Sequence, residues 1–246
     1  MQKSKNVSDT FRFKQFEIRQ DRCTMKVNTD GVLLGAWTDL SNKKKSLDIG
    51  TGTGLIAIMI AQRSLKIFSH GIEIDENASI DAKTNMDNSP FHARLTSIHQ
   101  SVQDYMSSTS SKYDLIVSNP PFFSGGTFSL NENKASVRHT IKLSHTDLLN
   151  AVRNLLAHDG HFDVILPYIE GLRFIELAAK YDFGVVKLTE VLSREGKGIE
   201  RLLIRFGMKC NHAYQTDTFV IHNSAHPNDY TLEFQNLTKE FYLFMV

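Results

Sequence analysis

Short apolar runs alternate with amphipathic segments through most of the chain. The apolar runs have the length of buried strands, and the segments between them carry apolar residues at helical spacing. The strand-like runs are 46–49, 67–74, 94–99, 113–118, 161–166, 185–191 and 200–206. The helix-like segments are 31–37, 55–63, 77–86, 146–156, 172–180 and 232–241. This alternation predicts an α/β fold whose doubly wound, mostly parallel sheet has seven strands and is covered by helices on both faces.

The two ends of the chain depart from this alternation. A loop, and not a helix, separates the strands 185–191 and 200–206, which predicts a terminal antiparallel hairpin, and 218–222 could add an edge strand. Residues 11–18 alternate apolar and polar side chains and predict a strand of a small N-terminal hairpin. We therefore expect a hairpin extension over residues 1–30 and one domain over residues 31–246.

Composition narrows the class of protein. A chain of 246 residues with 41% hydrophobic residues can bury a large core without disulfides. Cys23 and Cys210 have no metal-binding or redox spacing, and the ten histidines are scattered, so we expect reduced thiols and no metal. The sequence shows no signal peptide and no apolar run long enough to span a bilayer, which predicts a cytoplasmic protein without a membrane partner.

A four-residue motif, Asn119-Pro120-Pro121-Phe122, directly follows the strand-like run 113–118 and is called the tetrad below. Because two prolines cannot continue a central strand, the chain leaves the sheet here. Asn119 is therefore expected at the carboxyl end of a strand, where open α/β sheets bind ligands. The Asn119 side-chain oxygen and the Pro120 carbonyl can accept the hydrogens of a planar NH2 group, and Phe122 can stack on its ring.

The tetrad predicts methylation of an exocyclic amine. The lone pair of such a nitrogen is delocalised into its ring, so the nitrogen is a weak nucleophile. Two acceptors on the NH2 hydrogens would free the lone pair and stabilise the positive charge that develops, an effect worth roughly 10²–10³ in rate for each well-placed group.

A glycine loop, Asp48-Ile49-Gly50-Thr51-Gly52-Thr53-Gly54, follows the first central strand. Glycines there permit a tight turn and a close approach of the backbone to a ligand. The spacing Gly-x-Gly-x-Gly differs from the Gly-x-Gly-x-x-Gly of loops that bind pyrophosphate. Asp48 would repel a diphosphate but attract an amino group that carries positive charge. S-adenosylmethionine (SAM), which has an ammonium, a sulfonium and no phosphate, is therefore favoured over a nicotinamide dinucleotide.

Glu73 ends the second central strand and is followed by Ile74. A carboxylate at this position can accept hydrogen bonds from both hydroxyls of a ribose. Glu73 therefore supports a ligand that contains adenosine, whether SAM or a dinucleotide.

With these motifs in place, the chain resembles the class I SAM-dependent methyltransferases that methylate amino groups, and among them the bacterial tRNA1(Val) adenine-37 N6-methyltransferase family. The resemblance extends from about Phe11 to Phe244. Its further matching segments are Phe13-Lys14-Gln15-Phe16, Asp21-Arg22-Cys23-Thr24-Met25-Lys26-Val27, Thr29-Asp30-Gly31-Val32-Leu33-Leu34-Gly35-Ala36-Trp37 and Phe241-Tyr242-Leu243-Phe244-Met245. It implies a Rossmann-like methyltransferase sheet, SAM as methyl donor, and methylation of the adenine beside the anticodon of a valine tRNA.

Two departures from the family pattern bear on the site. The fourth tetrad residue is commonly Tyr in the family and is Phe122 here, a residue that also occurs in guanine-N2 methyltransferases of ribosomal RNA. The family often has an Asp after the third strand that contacts the adenine of SAM, where this chain has Ser101, with Val102 and Asp104 close by. The predicted cofactor-binding residues are Asp48, Gly50, Thr51, Gly52, Gly54, Glu73, Ile74, Ser101, Val102 and Asn119.

The predicted partner is the anticodon loop of a tRNA. A net charge of +1 means that RNA binding depends on local basic patches. The candidates are Lys134, Arg138, His139 and Lys142 after the tetrad, Arg194, Lys197 and Arg201 around a glycine-containing loop, and Arg12 and Lys14. Guanine-N2 methylation of ribosomal RNA, methylation of protein glutamine, and RNA binding without catalysis are the rival hypotheses.

Overall fold

A computed structural model describes residues 9–121, 143–210, 213–226 and 228–245. The strands are β1 (Thr10–Arg12), β2 (Glu17–Arg19), β3 (Lys45–Ile49), β4 (Phe68–Glu73), β5 (Leu95–His99), β6 (Tyr113–Ser118), β7 (Leu156–Pro167), β8 (Phe183–Arg194), β9 (Ile199–Met208) and β10 (Gln215–His222). The helices are α1 (Thr29–Trp37), α2 (Leu55–Arg63), α3 (Glu76–Asn88), α4 (Val102–Ser108), α5 (His145–Leu155), α6 (Tyr168–Ala179) and α7 (Leu232–Thr238).

Eight of these strands form one sheet in the order β10-β8-β9-β7-β6-β3-β4-β5. Its strands are parallel except β9, which lies between β7 and β8 and is antiparallel to both. The mostly parallel sheet and the hairpin of β8 and β9 confirm the predicted fold class. The predicted count of seven left out the possible edge strand at 218–222, which is present as β10 and pairs in parallel with β8 as the eighth strand. The carboxyl ends of all the parallel strands and the amino end of β9 share one edge, called the carboxyl edge below.

Helices cover both faces of the sheet, as the doubly wound prediction requires. On one face α1, α2, α3 and α7 enclose a core that contains Ile58 and Met59. On the other face α4, α5 and α6 enclose a second core, with Val152 and Phe174. In the part of the chain that the structure describes, no helix is both long and apolar enough to cross a membrane.

Several predicted boundaries need correction. The run 11–18 is not a single strand, because a turn that includes Phe13 and Phe16 separates β1 from β2 and the two rings stack 4.6 Å apart. Helix α4 was not predicted, since its seven residues bury only Val102 and show no apolar stripe. The closing helix α7 ends at Thr238, three residues before its predicted end at Phe241.

The two ends of the described chain meet. Phe13 forms a β-bridge with Tyr242, and the Lys14 ammonium donates a hydrogen bond to the Met245 carbonyl over 2.6 Å. The Phe13 and Tyr242 rings also stack, with centroids 6.0 Å apart. The N-terminal hairpin is therefore packed against the C-terminal segment.

Candidate functional site

The glycine loop between β3 and α2 needs its glycines for their backbone conformation. Gly50, Gly52 and Gly54 have φ values of 71°, 57° and 84°, in the left-handed region that side chains disfavour. The amides of Gly50 and Thr51 donate hydrogen bonds to the Ile72 carbonyl at the end of β4, over 2.9 and 3.0 Å. A Cβ placed on Gly50 would have no atom within 4 Å. The loop is thus tied to the sheet while it leaves open space for a ligand.

The Glu73 carboxylate is held in place by three backbone amides. One oxygen accepts a hydrogen bond from Gly52 over 2.9 Å, and the other accepts from Ile74 and Asp75, each also over 2.9 Å. The acid at the end of β4 therefore closes the glycine loop and keeps a fixed orientation. Its remaining acceptor capacity is what a vicinal diol would use.

Asp48 lies behind the glycine loop and is fully buried. Thr51 donates a hydrogen bond to Oδ2 over 2.6 Å, whereas the buried Oδ1 accepts no hydrogen bond of ordinary geometry from the part of the chain that the structure describes. Burial raises the pKa of Asp48 to about 7, although the Thr51 hydroxyl acts in the opposite direction. A cationic group bound in front of the loop would favour the charged carboxylate, so this environment suits a ligand with an ammonium.

A cavity of about 400 Å³, the cofactor cavity below, lies at the carboxyl edge between the ends of β3, β4, β5 and β6. This volume is typical of sites for small molecules. Its walls include the predicted residues Gly50, Gly52, Glu73, Ile74, Ser101, Val102, Asn119, Pro120 and Pro121. The other predicted cofactor residues, Asp48, Thr51 and Gly54, support the loop from outside that wall. Phe122 lies outside the residues that the structure describes.

The side chain of Asn119, in the wall of the cofactor cavity, has a buried oxygen without a hydrogen-bond partner among the residues that the structure describes. A buried unpaired acceptor is costly, so its presence requires an explanation. The preceding residue, Ser118, donates a hydrogen bond to the Ile49 carbonyl over 2.8 Å, which joins the ends of β6 and β3. The strand end thus holds a buried, unpaired acceptor in a residue of the cavity wall.

Sequence reasoning missed one wall of the cofactor cavity, which Cys23, Thr24 and Met25 supply. Their segment is held by α3, since the Asp81 carboxylate accepts hydrogen bonds from the amides of Arg22 and Cys23 over 2.9 Å each. Burial raises the pKa of the Cys23 thiol, which keeps it protonated.

A second side chain of α3 ties this segment to the glycine loop. The Asn85 amide group donates hydrogen bonds to the carbonyls of Arg19 and Thr53, over 2.8 Å each. Asp81 and Asn85 are spaced by one helical turn and are both buried. Two buried polar residues at this spacing were the available sequence signal.

The side chain of Ser101 has a structural role. Its hydroxyl donates to the Asp104 carboxylate over 2.6 Å and accepts from the Asp104 amide over 3.0 Å, which caps the start of α4. Asp104 does not line the cavity, and the polar side chains beside Ser101 in its wall are Gln100 and Gln103. This Ser-x-x-Asp capping pattern could have predicted α4.

The predicted RNA-binding residues lie in several places. Arg194 and Lys197 belong to the turn between β8 and β9 at the carboxyl edge. Arg201 forms an ion pair with Asp30, with 2.8 Å between Nε and Oδ2. Arg12 forms an ion pair with Glu17 in the N-terminal hairpin, and Lys14 donates a hydrogen bond to the Met245 carbonyl. Lys44 and Lys45, which are not among the candidates, lie at the start of β3 and so at the opposite edge of the sheet. Lys134, Arg138, His139 and Lys142 lie outside the described residues.

Within the described ranges, no cluster of three or more His, Cys, Asp or Glu side chains could hold a metal ion.

The chain matches a known family model over more than half of its length and curated relatives over nearly all of it. The model of the methyltransferase small domain matches residues 28–166, more than half of the chain. A tRNA1(Val) (adenine(37)-N6)-methyltransferase from Aliivibrio fischeri is 41% identical, covering 97% of this chain and 100% of the relative. Proteins of the same name from Aeromonas hydrophila and Trichodesmium erythraeum are 42% and 43% identical, covering 96% and 95% of this chain and 98% and 97% of the relatives.

Solved structures share the fold at low sequence identity. A predicted O-methyltransferase from Agrobacterium tumefaciens superposes with a TM-score of 0.69 at 17% identity, covering 86% of this chain and 96% of that one. The glycopeptide N-methyltransferase MtfA, crystallised with SAM, has a TM-score of 0.52 at 13% identity, covering 74% of this chain and 100% of that one. These likenesses support the Rossmann-like methyltransferase sheet.

Proposed function

The chain belongs to the tRNA1(Val) (adenine(37)-N6)-methyltransferase family, and from that premise we propose that it transfers a methyl group from SAM to N6 of adenine-37 in the anticodon loop of tRNA1(Val). The observation that carries the proposal is the buried, unpaired side-chain oxygen of Asn119 in the wall of the cofactor cavity. That acceptor is what an exocyclic NH2 group requires. Because tRNA is the proposed substrate, the cytoplasm is the proposed location of the enzyme.

The residues of the cofactor cavity suit SAM. Glu73 would accept the ribose hydroxyls, since its carboxylate is already oriented by the Gly52, Ile74 and Asp75 amides. Asp48 would supply negative charge behind the loop once a cation restores its ionised form. The bound SAM would supply an activated methyl group through its sulfonium. The proposed contacts of Ser101 and Val102 with the adenine are through the backbone, because the Ser101 hydroxyl caps α4.

The tetrad would activate the amine by accepting its hydrogens. Asn119 Oδ1 accepts one N–H and the Pro120 carbonyl accepts the other, so both hydrogens stay bound while the nitrogen attacks. These acceptors stabilise the positive charge that develops on nitrogen, and they are preorganised because the two prolines make the backbone rigid. The N–CH3 bond would form as the S–CH3 bond of the sulfonium breaks, and S-adenosylhomocysteine would leave as a neutral thioether. The methylated nitrogen, then cationic and strongly acidic, would release one proton to water, so a strong general base is not needed. Phe122 is proposed to stack on the adenine.

The proposed RNA partner would approach over the carboxyl edge. The turn with Arg194 and Lys197 is located there, and backbone phosphates are the natural ligands of exposed basic side chains. Such contacts would position the anticodon loop without reading its sequence.

The proposal is tested by nucleoside analysis of tRNA1(Val) from cells with and without the protein. We expect N6-methyladenosine at the position beside the anticodon to disappear without the protein and to return when the wild-type chain is restored. Unchanged N6-methyladenosine would refute the assignment. Loss of N2-methylguanosine from ribosomal RNA instead would support the rival target that Phe122 left open.

A further inference from the structure

A second cavity, of about 360 Å³, opens at the carboxyl edge on the other side of α1. It lies between the start of α1, the ends of β8 and β10, the start of β9 and the C-terminal aromatic residues. Its walls are formed by Asn28, Thr29, Asp30, Leu33, Val191, Ser193, Glu200, Arg201, Ile221, His222, Tyr230, Phe234 and Tyr242. We call it the side cavity. None of the steps of methyl transfer uses it.

The side cavity begins close to the tetrad. Asn28 Oδ1, in its wall, lies 3.6 Å from the point that a Cβ on Gly31 would occupy, and Asn119 Nδ2 lies 3.8 Å from the same point. Asn28 therefore stands near Asn119, which lines the cofactor cavity. A molecule that places one group against Asn119 can extend a neighbouring group into the side cavity.

One wall of the side cavity is a stack of aromatic rings. The Tyr230 ring is nearly parallel to that of Phe234, with centroids 4.8 Å apart and 13° between the planes. The His222 ring stacks with Tyr230 at the same distance, with 30° between the planes. Both faces of the Tyr230 ring are therefore covered by His222 and Phe234, and the outer face of the His222 ring is the one on which a planar ligand such as a nucleobase can stack.

The polar groups of the side cavity select for hydrogen-bond donors. Glu200 is exposed, and its carboxylate forms no ion pair with any residue that the structure describes. His222 Nδ1 is buried and accepts or donates no hydrogen bond among the same residues. Asp30 already neutralises Arg201 across 2.8 Å. Two carboxylates in the wall disfavour a phosphate, whereas the amino group of a base would satisfy Glu200.

We propose that the side cavity binds a base next to the methylated adenine in the same RNA strand, and that this base carries an exocyclic amino group. The inference rests on the proposed function for the identity of the RNA. Glu200 accepts the amino hydrogens, His222 bonds the adjacent ring nitrogen, and the aromatic wall supports the ring. The side cavity thus makes the enzyme sensitive to the nucleotide beside its target.

The test combines protein variants with RNA variants and measures whether their effects on RNA binding depend on each other. The probe is the anticodon stem-loop RNA of tRNA1(Val), either intact or with an abasic site at each position that flanks the target adenine. The proteins are the wild type, Glu200→Gln and the matched control Glu195→Gln, which makes the same charge change on an exposed residue of the turn before β9, outside the cavity wall. S-adenosylhomocysteine binding, measured by calorimetry, verifies the fold of each variant.

We expect Glu200→Gln to weaken binding of the intact RNA on the order of tenfold, and to leave unchanged the affinity for RNA that is abasic at one flanking position. His222→Ala should show the same dependence on that position, and Glu195→Gln should show none. Equal losses for intact and abasic RNA, or no loss with either variant, would overturn the inference.

The cycle separates this inference from the proposed function. Because it measures binding, coupling between Glu200 and a flanking base is detected whether or not the adenine is methylated. A wild-type protein that binds the stem-loop with the expected coupling but transfers no methyl group would refute the function and leave the side cavity assigned. Methyl transfer without any coupling would refute the side cavity alone.

Discussion

The two cavities at the carboxyl edge are formed by different parts of the protein. The cofactor cavity is formed largely by segments that follow β3, β4, β5 and β6, and its ligand-facing groups are oriented by backbone amides, as at Glu73. The side cavity is formed by side chains from segments as distant in sequence as Asn28 and Tyr242. Asn119 stands near their boundary.

This difference has a physical cause. A loop that approaches a ligand closely needs glycines and a strand before it. Both features lie within a few residues of each other, so a short sequence motif identifies such a loop. A cavity walled by side chains can be assembled from any segments that the fold brings together. The first kind of site is therefore recognisable in sequence, and the second depends on tertiary packing.

The largest expected effect comes from Asn119→Ala, at the boundary between the cavities. Removing the side-chain acceptor should reduce the rate of methyl transfer by about 10²–10³, because one preorganised group no longer stabilises the charge on nitrogen. Single-turnover methylation of a tRNA1(Val) transcript measures this rate. Because Asn119 is also a predicted cofactor-binding residue in the cavity wall, the affinity for S-adenosylhomocysteine should fall too, but by less than the rate. An unchanged rate would exclude the proposed role of the tetrad.

The next largest effect should come from Glu73, in the wall of the cofactor cavity, and should be a loss of cofactor affinity. In Glu73→Gln one oxygen becomes an amide that cannot accept the backbone N–H groups, and the hydrogen bonds to the ribose lose their charge. We expect the Kd for S-adenosylhomocysteine, measured by calorimetry, to rise about 10- to 100-fold. Glu76→Gln, the same change on an exposed residue in the first turn of α3, is the matched control. Equal affinities in the two variants would contradict the assignment.

The third prediction concerns Asp48, the buried acid behind the glycine loop, and the pH dependence of the free energy of unfolding. The pKa of Asp48 is about 7 in the folded protein and near 3.8 when unfolded, so the folded state binds more protons between these values. The free energy of unfolding, measured without ligand, should therefore fall as the pH rises from about 4 to about 7, by at most about 1.4 kcal/mol per pH unit.

Asp48→Asn should abolish that part of the pH dependence, since the amide does not titrate. Asp159→Asn changes a carboxylate that is 96% exposed and should leave the profile as in the wild type. Urea denaturation at a series of pH values makes the comparison. Parallel profiles for the wild type and Asp48→Asn would show that the buried carboxyl does not titrate as inferred.

The smallest effect should come from the basic turn between β8 and β9, which is proposed to contact RNA. Replacing Lys197 by Gln removes one proposed phosphate contact, so the slope of log K against log salt should become shallower by about one unit, with a loss of affinity of a few-fold. Lys44→Gln, at the opposite edge of the sheet, should leave the slope unchanged. Filter binding of tRNA over a range of salt provides both slopes. A steep slope retained in Lys197→Gln would place the RNA elsewhere.

Much of the fold was predictable, because strands and helices of ordinary length alternate in the sequence. The errors occurred where local pattern and packing disagree. Helix α4 is too short to show an apolar stripe. The turn between β1 and β2 was not recognised because its residues Phe13 and Phe16 are buried, and Phe13 packs against the C-terminal segment, so the turn keeps the alternating pattern of a strand. The possible edge strand at 218–222 is present as β10, but it begins three residues earlier, at Gln215, where pairing with β8 extends it into a polar stretch.

By itself, the sequence determined the alternating strands and helices, the glycine loop, the position of Glu73 and the strand end that carries Asn119, because each shows in residues that are close along the chain. Only the tertiary structure decided the rest of the site. The wall of Cys23, Thr24 and Met25 exists because α3 holds that segment by hydrogen bonds across more than fifty residues. The side cavity likewise exists only where the two ends of the chain pack together, since contacts between distant segments leave no periodic trace in sequence.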